Sequence, residues 1–411
     1  MTENDLIKSG NLKIEWASNH MPVLANIRKQ FEREKPLKGR KIAMALHVEA
    51  KTAVLVETLA KGGAEVAISG CNPLSTQDDV AKALHTRENI TCVAKYGCNN
   101  EEYYEAMNKV LDIKPDITID DGADLIFKIH KEFPQLLPTL LGGCEETTTG
   151  IHRLKAMERD GALKMPVIAV NDAKTKYLFD NRYGTGQSSW DGIIRTTNLL
   201  VAGKNVVVCG YGWCGKGVAL RAVGLGASVI VTEIDPVRAL EARMDGHRVM
   251  KMIDAAKIGD IFMTITGGRD ILSKEHFKVM KDGAILANSG HFNVEINLEE
   301  LEALATTVRI VRNNIKEYVV GNKRINILAD GRLVNLAAGD GHPAEVMDMS
   351  FANQALCVRH IAENKLGNGV HPVPIELDML VAKLKLASLG IDIDVATDTQ
   401  VEYMDGWECG T

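Results

Sequence analysis

The sequence predicts an α/β protein built from two doubly wound parallel-sheet domains followed by a C-terminal arm. Three observations carry that expectation. Short apolar runs alternate with amphipathic helical stretches up to about residue 170, a strand–glycine-turn–helix unit is centred on Gly210, and a second alternation follows it.

Taken in order, residues 12–31 read as a helix, closed by Lys35-Pro36-Leu37-Lys38-Gly39. Strands are expected at residues 42–46, 65–69, 91–94, 116–120 and 166–170, with helices at 52–61, 77–86 and 101–111 between them. Residues 142–150 read as a polar loop and 174–181 as a helix. Gly184-Thr185-Gly186 reads as a hinge into a long helix over 188–201. The second alternation places strands at 206–209, 228–232, 261–264, 284–287, 308–311 and 325–328. Beyond Gly331, a helix over 345–361 is expected to return to the first domain, and 377–411 to form an amphipathic arm that docks on a neighbouring copy of the chain. The resulting division is 1–185 with 344–372, 186–343, and 373–411.

At 411 residues the chain can bury more than one core, and its 45% hydrophobic and 25% charged content is ordinary for globular proteins. A net charge of −6 argues against nucleic-acid or membrane-surface partners. The start, MTENDLIKSG, lacks an apolar signal region, so a cytoplasmic protein is expected. Eight cysteines (Cys71, Cys92, Cys98, Cys144, Cys209, Cys214, Cys357 and Cys409) are scattered without metal-ligand spacing, and they read as reduced thiols with no metal.

The most informative stretch runs from Val206 to Asp235. An apolar strand enters Gly210-Tyr211-Gly212-Trp213-Cys214-Gly215, a helix follows, and a second strand ends at Glu233. In a dinucleotide fold Gly210 makes the tight turn, Gly212 admits the pyrophosphate and Gly215 lets helix meet strand, while an acid about 20 residues on takes the ribose. The helix N-terminus offers unpaired N–H groups to phosphate. Glu233 favours NAD over NADP, because a carboxylate accepts from a 2′-OH and repels a 2′-phosphate.

Ligands of open α/β sheets gather beyond the C-terminal strand ends. That rule collects His47, Asp120-Asp121-Gly122, Asn171-Asp172 and Asn288-Ser289-Gly290-His291. Singly, such residues read as helix caps, turns or satisfied histidines. Lys176, Asp180 and Asn181, at i, i+4 and i+5, share one helical face and by themselves would be a solvated ion pair. Their convergence on two facing rims favours chemistry.

With Glu145-Glu146-Thr147-Thr148-Thr149-Gly150, Asn171-Asp172 through Lys176 to Asp180-Asn181, Gly210-Tyr211-Gly212, and Gly331-Arg332-Leu333-Val334-Asn335 through Gly341-His342-Pro343 together, the chain resembles the S-adenosylhomocysteine hydrolases from about Ile14 to the last helix. The resemblance implies a hydrolase that keeps NAD bound and cycles it within each turnover, and a homotetramer whose C-terminal arms cross between protomers. A thioether at C5′ is a poor target for water. Oxidising the 3′-OH acidifies the 4′ C–H, homocysteine leaves by elimination, water adds, and the ketone is reduced again. By resemblance Lys176 and Asp180 act on the 3′-OH, Glu146 holds the ribose hydroxyls, Asp121 is the base at C4′, and His47 assists thiolate departure and water entry. His291 and His342 complete the closed site, and Asn171 orients Lys176. Glu49, Lys51 and Gln77 fall with the substrate contacts. Thr147, Thr148, Thr149, Asn181, Glu233, Asn288 and Asn335 join the three glycines as cofactor contacts.

Three departures stand out. Glu49 and Lys51 occupy positions where many members read Thr and Glu, and that Glu accepts a hydrogen bond from the adenine amino group. Lys51 is donor-only and suits a carbonyl at the purine 6-position, so S-inosyl- and S-adenosyl-homocysteine both stand as substrates, unless Lys51 simply pairs with Glu49 or Glu57. Thr185 replaces a cysteine near the nicotinamide. The chain closes at Gly410-Thr411 without the longer Lys/Tyr-bearing tail, which implies weaker cofactor retention. An ordinary NAD-dependent dehydrogenase and a catalytically silent homologue are the rival classes. The Glu-Glu-Thr-Thr-Thr loop opposes the first, and the presence of His47, Asp121, Lys176 and Asp180 opposes the second.

Overall fold

The computed structural model describes residues 2–407, so Cys409 and the end of the arm lie outside the described residues. Two sheets organise the chain. The first comprises β1 (Lys41–Ala45), β2 (Glu65–Ser69), β3 (Ile90–Cys92), β4 (Ile117–Asp120), β5 (Gly142–Glu145) and β6 (Pro166–Ala169). The second comprises β7 (Asn205–Cys209), β8 (Ser228–Thr232), β9 (Arg248–Val249), β10 (Ile261–Thr264), β11 (Ala284–Asn288), β12 (Thr307–Arg312), β13 (Ile315–Val320) and β14 (Lys323–Leu328). A late strand, β15 (Gly369–Pro372), returns to the first sheet. The strand orders are β15-β6-β5-β4-β1-β2-β3 and β12-β13-β14-β11-β10-β7-β8-β9.

All of the first sheet is parallel. The second is parallel from β14 to β9 and ends in antiparallel β12 and β13, an edge that the periodicity did not announce. Both faces of each sheet are covered. In β1, Ile42 and Met44 face one core with Leu24, Phe31, Leu55 and Ile361, while Ala43 and Ala45 face the other with Met107, Ile126 and Leu154. In β7, Val206 and Val208 face one core, Val207 and Cys209 the other. Strand residues alternate sides, so a strand buried on both faces reads as a continuous apolar run.

The differences from expectation have local causes. The first helix is two, Glu3–Asn19 and Pro22–Glu34, because Pro22 can open a helix but not continue one. Residues 142–150 are not a loop: β5 occupies Gly142–Glu145, and a helix, Thr148–Arg159, follows. Gly143 hides that strand, because a side chain there would collide with Thr118 of β4. The helix after Gly184 runs Thr185–Thr197 and ends at Asn198, which takes the left-handed conformation. The helix Ala344–Glu363 does return, burying Met347, Phe351, Leu356 and Val358 in the first core.

Within the parallel part of each sheet the strand order reverses once, between β1 and β4 and between β7 and β10. Those switch points open a crevice at the C-terminal strand ends, and the two crevices face each other.

Candidate active site

One cavity of about 990 Å³ lies between the sheets. From the first domain it is lined by His47, Glu49, Lys51, Asp121, Glu146, Thr147, Thr148, Thr149, Lys176, Asp180 and Asn181. From the second come Gly210, Gly212, Glu233, His291, Asn335 and His342. Four residues singled out in the sequence sit elsewhere. Gln77 lies in a neighbouring groove, where its Oε1 accepts from Lys13 Nζ at 3.1 Å. Gly215 is packed against the Gly210 carbonyl. Asn288 is fully buried beneath the site: its Nδ2 donates to the carbonyls of Gly290, Phe292 and Gly331, shaping the loop that carries His291. Asn171 stands behind Lys176.

The densest polar cluster surrounds Lys176. Its Nζ donates to Asp180 Oδ1 at 3.1 Å, Asn181 Oδ1 at 2.9 Å and Asn171 Oδ1 at 3.3 Å, and lies 3.5 Å from Glu146 Oε1. Residues i+4 and i+5 both reach it because the helix Lys174–Tyr177 passes into a wide π-turn, Asp180–Gly184. The start of that helix is itself fixed by Asp378, which accepts from the N–H groups of Lys174 and Thr175. Asp180 Oδ2 accepts from Ser350 Oγ at 2.7 Å, and His342 Nδ1 is 3.3 Å from Asp180 Oδ1. Glu146 Oε2 accepts from Gln354 Nε2 at 2.6 Å.

Burial governs the charges here. It would lower the Lys176 ammonium pKa, but Asp180 and Glu146 outweigh it and hold the proton on nitrogen. Burial likewise works to raise Asp180, and Lys176 and then His342 keep it well below the usual carboxylate range. Glu146 goes the other way: burial pushes it up to about 7, with Lys176 opposing. Ser350 and Gln354 escaped the sequence reading. Their signal was the run of polar residues, Asp348, Ser350, Asn353 and Gln354, among the buried positions of the Ala344–Glu363 helix.

Across the cavity, His47 follows β1 and Asp121 follows β4, on either side of the switch point. His47 Nε2 is 3.4 Å from Asp121 Oδ2, and His291 Nδ1 is 3.5 Å from Asp121 Oδ1. His47 Nδ1 bonds Ser75 Oγ at 2.7 Å. Burial lowers His47 to about 4 despite Asp121, so its imidazole is neutral at neutral pH. Behind Asp121, Glu145 Oε1 accepts from the N–H groups of Gly122 and Thr147, tying the Asp121 and Glu146 loops together.

Lys51 is buried at the boundary. Its Nζ lies 2.6 Å from Glu49 Oε2 and donates to the Asp340 carbonyl at 2.6 Å, while Glu57 pairs instead with Arg28 and Arg87. Glu49 also caps the helix Ala50–Lys61, accepting from Lys51 N and Thr52 N.

The nucleotide side fits a dinucleotide. Glu233, just past β8, stands on the cavity with Gly210 and Gly212, and a side chain on Gly212 would meet nothing nearer than Arg238 at 3.8 Å. Asn335 Nδ2 donates to Ser188 Oγ at 3.2 Å, and its buried Oδ1 has no protein partner among the described residues. An acceptor so placed suits a carboxamide N–H.

Two family profiles match the chain: "S-adenosyl-L-homocysteine hydrolase, NAD binding domain" over residues 181–341 and "S-adenosyl-L-homocysteine hydrolase" over residues 2–136. Among curated relatives, the S-inosyl-L-homocysteine hydrolase of Methanosarcina mazei is 78% identical over 411 residues, spanning 100% of both chains. That of Methanosarcina acetivorans is 76% identical over the same span. The adenosylhomocysteinase of Archaeoglobus fulgidus is 63% identical, covering 98% of this chain and 100% of its own. Among solved structures, a dipicolinate synthase polypeptide of Bacillus halodurans superposes with a TM-score of 0.51 at 13% identity, over 80% of this chain and 100% of that one, a likeness of fold.

Proposed function

The chain belongs to the S-adenosyl-L-homocysteine hydrolase family, an NAD-dependent hydrolase of nucleoside thioethers, and from that premise we propose roles for its residues and S-inosyl-L-homocysteine as its substrate. The observation that supports these roles best is the pairing, across one cavity, of the Lys176 cluster with the His47–Asp121–His291 cluster.

Bound NAD would supply the redox chemistry of the cycle, hydride acceptance and donation at the 3′ carbon. Gly210, Gly212 and Glu233 would hold its pyrophosphate and ribose, Thr147 to Thr149 and Asn181 its nicotinamide side, and Asn335 its carboxamide. Lys176 and Asp180 act as a unit on the 3′-OH proton. In the pair as it stands the proton sits on nitrogen, and positive charge placed beside the ammonium would favour its release. Glu146, titrating about 7, is placed for the ribose hydroxyls in either protonation state. Asp121 takes the C4′ proton. Neutral His47 is better suited to accept a proton from the water adding at C5′ than to store one, and His291 lies on the other side of Asp121.

Lys51 does pair with Glu49, the contact set against base recognition in the sequence, and the inosyl reading rests on the donor that this pairing leaves over. Two of its three N–H bonds are committed to Glu49 and Asp340, leaving one for an acceptor on the base. A hypoxanthine carbonyl is such an acceptor and an adenine amino group is not. The relatives at 78% and 76% identity carry the inosyl name. The adenosyl reading keeps the support of the Archaeoglobus relative. The deciding measurement is kcat/KM for both thioethers, by thiol release, on wild type and Lys51→Glu. A charge-assisted hydrogen bond of about 1.5–3 kcal/mol predicts an inosyl preference of roughly 10- to 150-fold that the substitution reverses. An adenosyl preference untouched by Lys51→Glu would leave Lys51 a structural ion-pair residue.

The substrate domain is taken as 1–185 with 344–372 and the cofactor domain as 186–343. Exposed Ile393, Val395 and Trp407 on the arm support assembly with other copies, consistent with a cytoplasmic homotetramer. No helix among the described residues is long and apolar enough to cross a membrane.

A further inference from the structure

We propose that His47, Asp121 and His291 also form a transition-metal site, which a borderline divalent cation such as Zn²⁺ occupies in competition with substrate. One ligand atom from each residue lies within 4.8 Å of the others, in a buried setting. His47 Nε2 and Asp121 Oδ2 are 3.4 Å apart, and His291 Nδ1 and Asp121 Oδ1 3.5 Å. Zinc bonds of about 2.0–2.2 Å at tetrahedral angles put neighbouring ligand atoms roughly 3.3 Å apart. Each histidine therefore already has ligand spacing to one oxygen of Asp121, His47 to Oδ2 and His291 to Oδ1, and a set with one atom from each residue closes within 4.8 Å.

The tautomer supplies a second, independent observation. Ser75 Oγ donates to the Asn72 carbonyl at 3.1 Å, so toward His47 it accepts from Nδ1–H at 2.7 Å. That leaves the Nε2 lone pair aimed at the Asp121 carboxylate, two acceptors face to face. A bridging cation satisfies both, and a histidine whose other nitrogen is held by an outer partner is the usual metal-binding arrangement. Cys71 Sγ lies 3.3 Å from Nδ1 of the same ring and 3.9 Å from Asp121 Oδ2, a neutral thiol beside the trio.

Two histidines and a carboxylate leave a fourth position for water or a ligand atom. Because His291 belongs to the second sheet's loop and the other two to the first sheet, a bound metal ties the two rims together. It also takes the lone pairs assigned to proton transfer, so occupancy is inhibitory. That consequence, unlike the metal site itself, rests on the reading of this cavity as the nucleoside site.

The test is Co²⁺ titration of chelator-treated, NAD-loaded enzyme. The expected result is the visible d–d absorption of four-coordinate Co²⁺, saturating at one ion per chain. It should be absent in His291→Ala and His47→Gln, weakened about tenfold in Ser75→Ala, and unchanged in His152→Ala, a histidine lining the same cavity outside the trio. If either ligand variant fails to retain NAD or to melt cooperatively, the Ser75→Ala titration decides alone. Absence of the band in wild type, or a band that survives the ligand and Ser75 variants, overturns the proposal. Zn²⁺ should further inhibit competitively with the thioether. Binding without competition would uphold the metal site and sink the nucleoside-site reading.

Discussion

At Gly122 the two rims pack directly against each other, and its replacement by alanine has a calculable effect. Gly122 has φ +105°, and a Cβ there would lie within 3.1 Å of three atoms of the His291 ring. The left-handed backbone alone costs an alanine about 1–2 kcal/mol, which on a protein of this size lowers Tm by a few degrees. The clash is a separate matter. Restoring van der Waals contact requires His291 or the Asp121 loop to retreat by about 1 Å, and a misplacement of that size costs roughly 100-fold in rate. Gly122→Ala should therefore fold, retain NAD and lose about 100-fold in kcat/KM. The double variant Gly122→Ala/His291→Ala isolates the cause, because with the ring gone the added methyl has nothing to displace. It should be no slower than His291→Ala alone, a coupling of about 2.7 kcal/mol, equal to the whole Gly122→Ala loss. Thiol-release kinetics on the four proteins provides the assay. Additive losses, or a Gly122→Ala enzyme within threefold of wild type (roughly 0.7 kcal/mol), would refute the view that these rims act in contact.

Lys176→Met should reduce overall turnover by more than about 100-fold, as expected for loss of a positioned proton-transfer group, while NAD content stays that of wild type; near-normal turnover would remove Lys176 from the chemistry. Ser350→Ala deletes the 2.7 Å donor to Asp180, and about 1.5 kcal/mol of a charge-assisted bond predicts a roughly tenfold fall in kcat, so an unchanged kcat would make Ser350 mere packing. Glu146 has a pKa raised from 4.5 to about 7. Its contribution to stability is thus full below pH 4.5 and lost as pH climbs through about 7. Glu146→Gln, which cannot ionise, should lack that loss, so the Tm difference between variant and wild type should grow across this window; parallel Tm profiles would contradict the assignment.

Much of the nucleotide half was legible because its signal is local. The strand, glycine turn, helix, second strand and Glu233 all fall within Val206 to Asp235, and a run buried on both faces shows as continuous apolar residues. Lys176, Asp180 and Asn181 were visible for the same reason, although the π-turn that brings both i+4 and i+5 to the ammonium was not. The strand β5 was hidden, because close packing against Thr118 selects glycine over the β-branched residues that announce a strand. Polar residues of the Ala344–Glu363 helix were overlooked because they count against amphipathic patterning until their partners are known.

By itself, then, the sequence determined the two layered domains, the dinucleotide fingerprint and the identities of the groups that can move protons. Only the tertiary structure decided which of them meet. His47 and Asp121 become neighbours because β1 and β4 pair side by side, and His291 joins them from the other sheet. Lys51 reaches the Asp340 carbonyl across 289 residues of sequence. Gln77, from the same strand-end rim, instead turns toward Lys13. Strand order and the apposition of two sheets are set by the sum of core packing, which has no local period to read. The same packing sets the charges: burial makes His47 neutral and lifts Glu146, while ion partners hold Lys176 charged. A residue's type fixes what chemistry it can do, and its burial and neighbours fix which protonation state it presents.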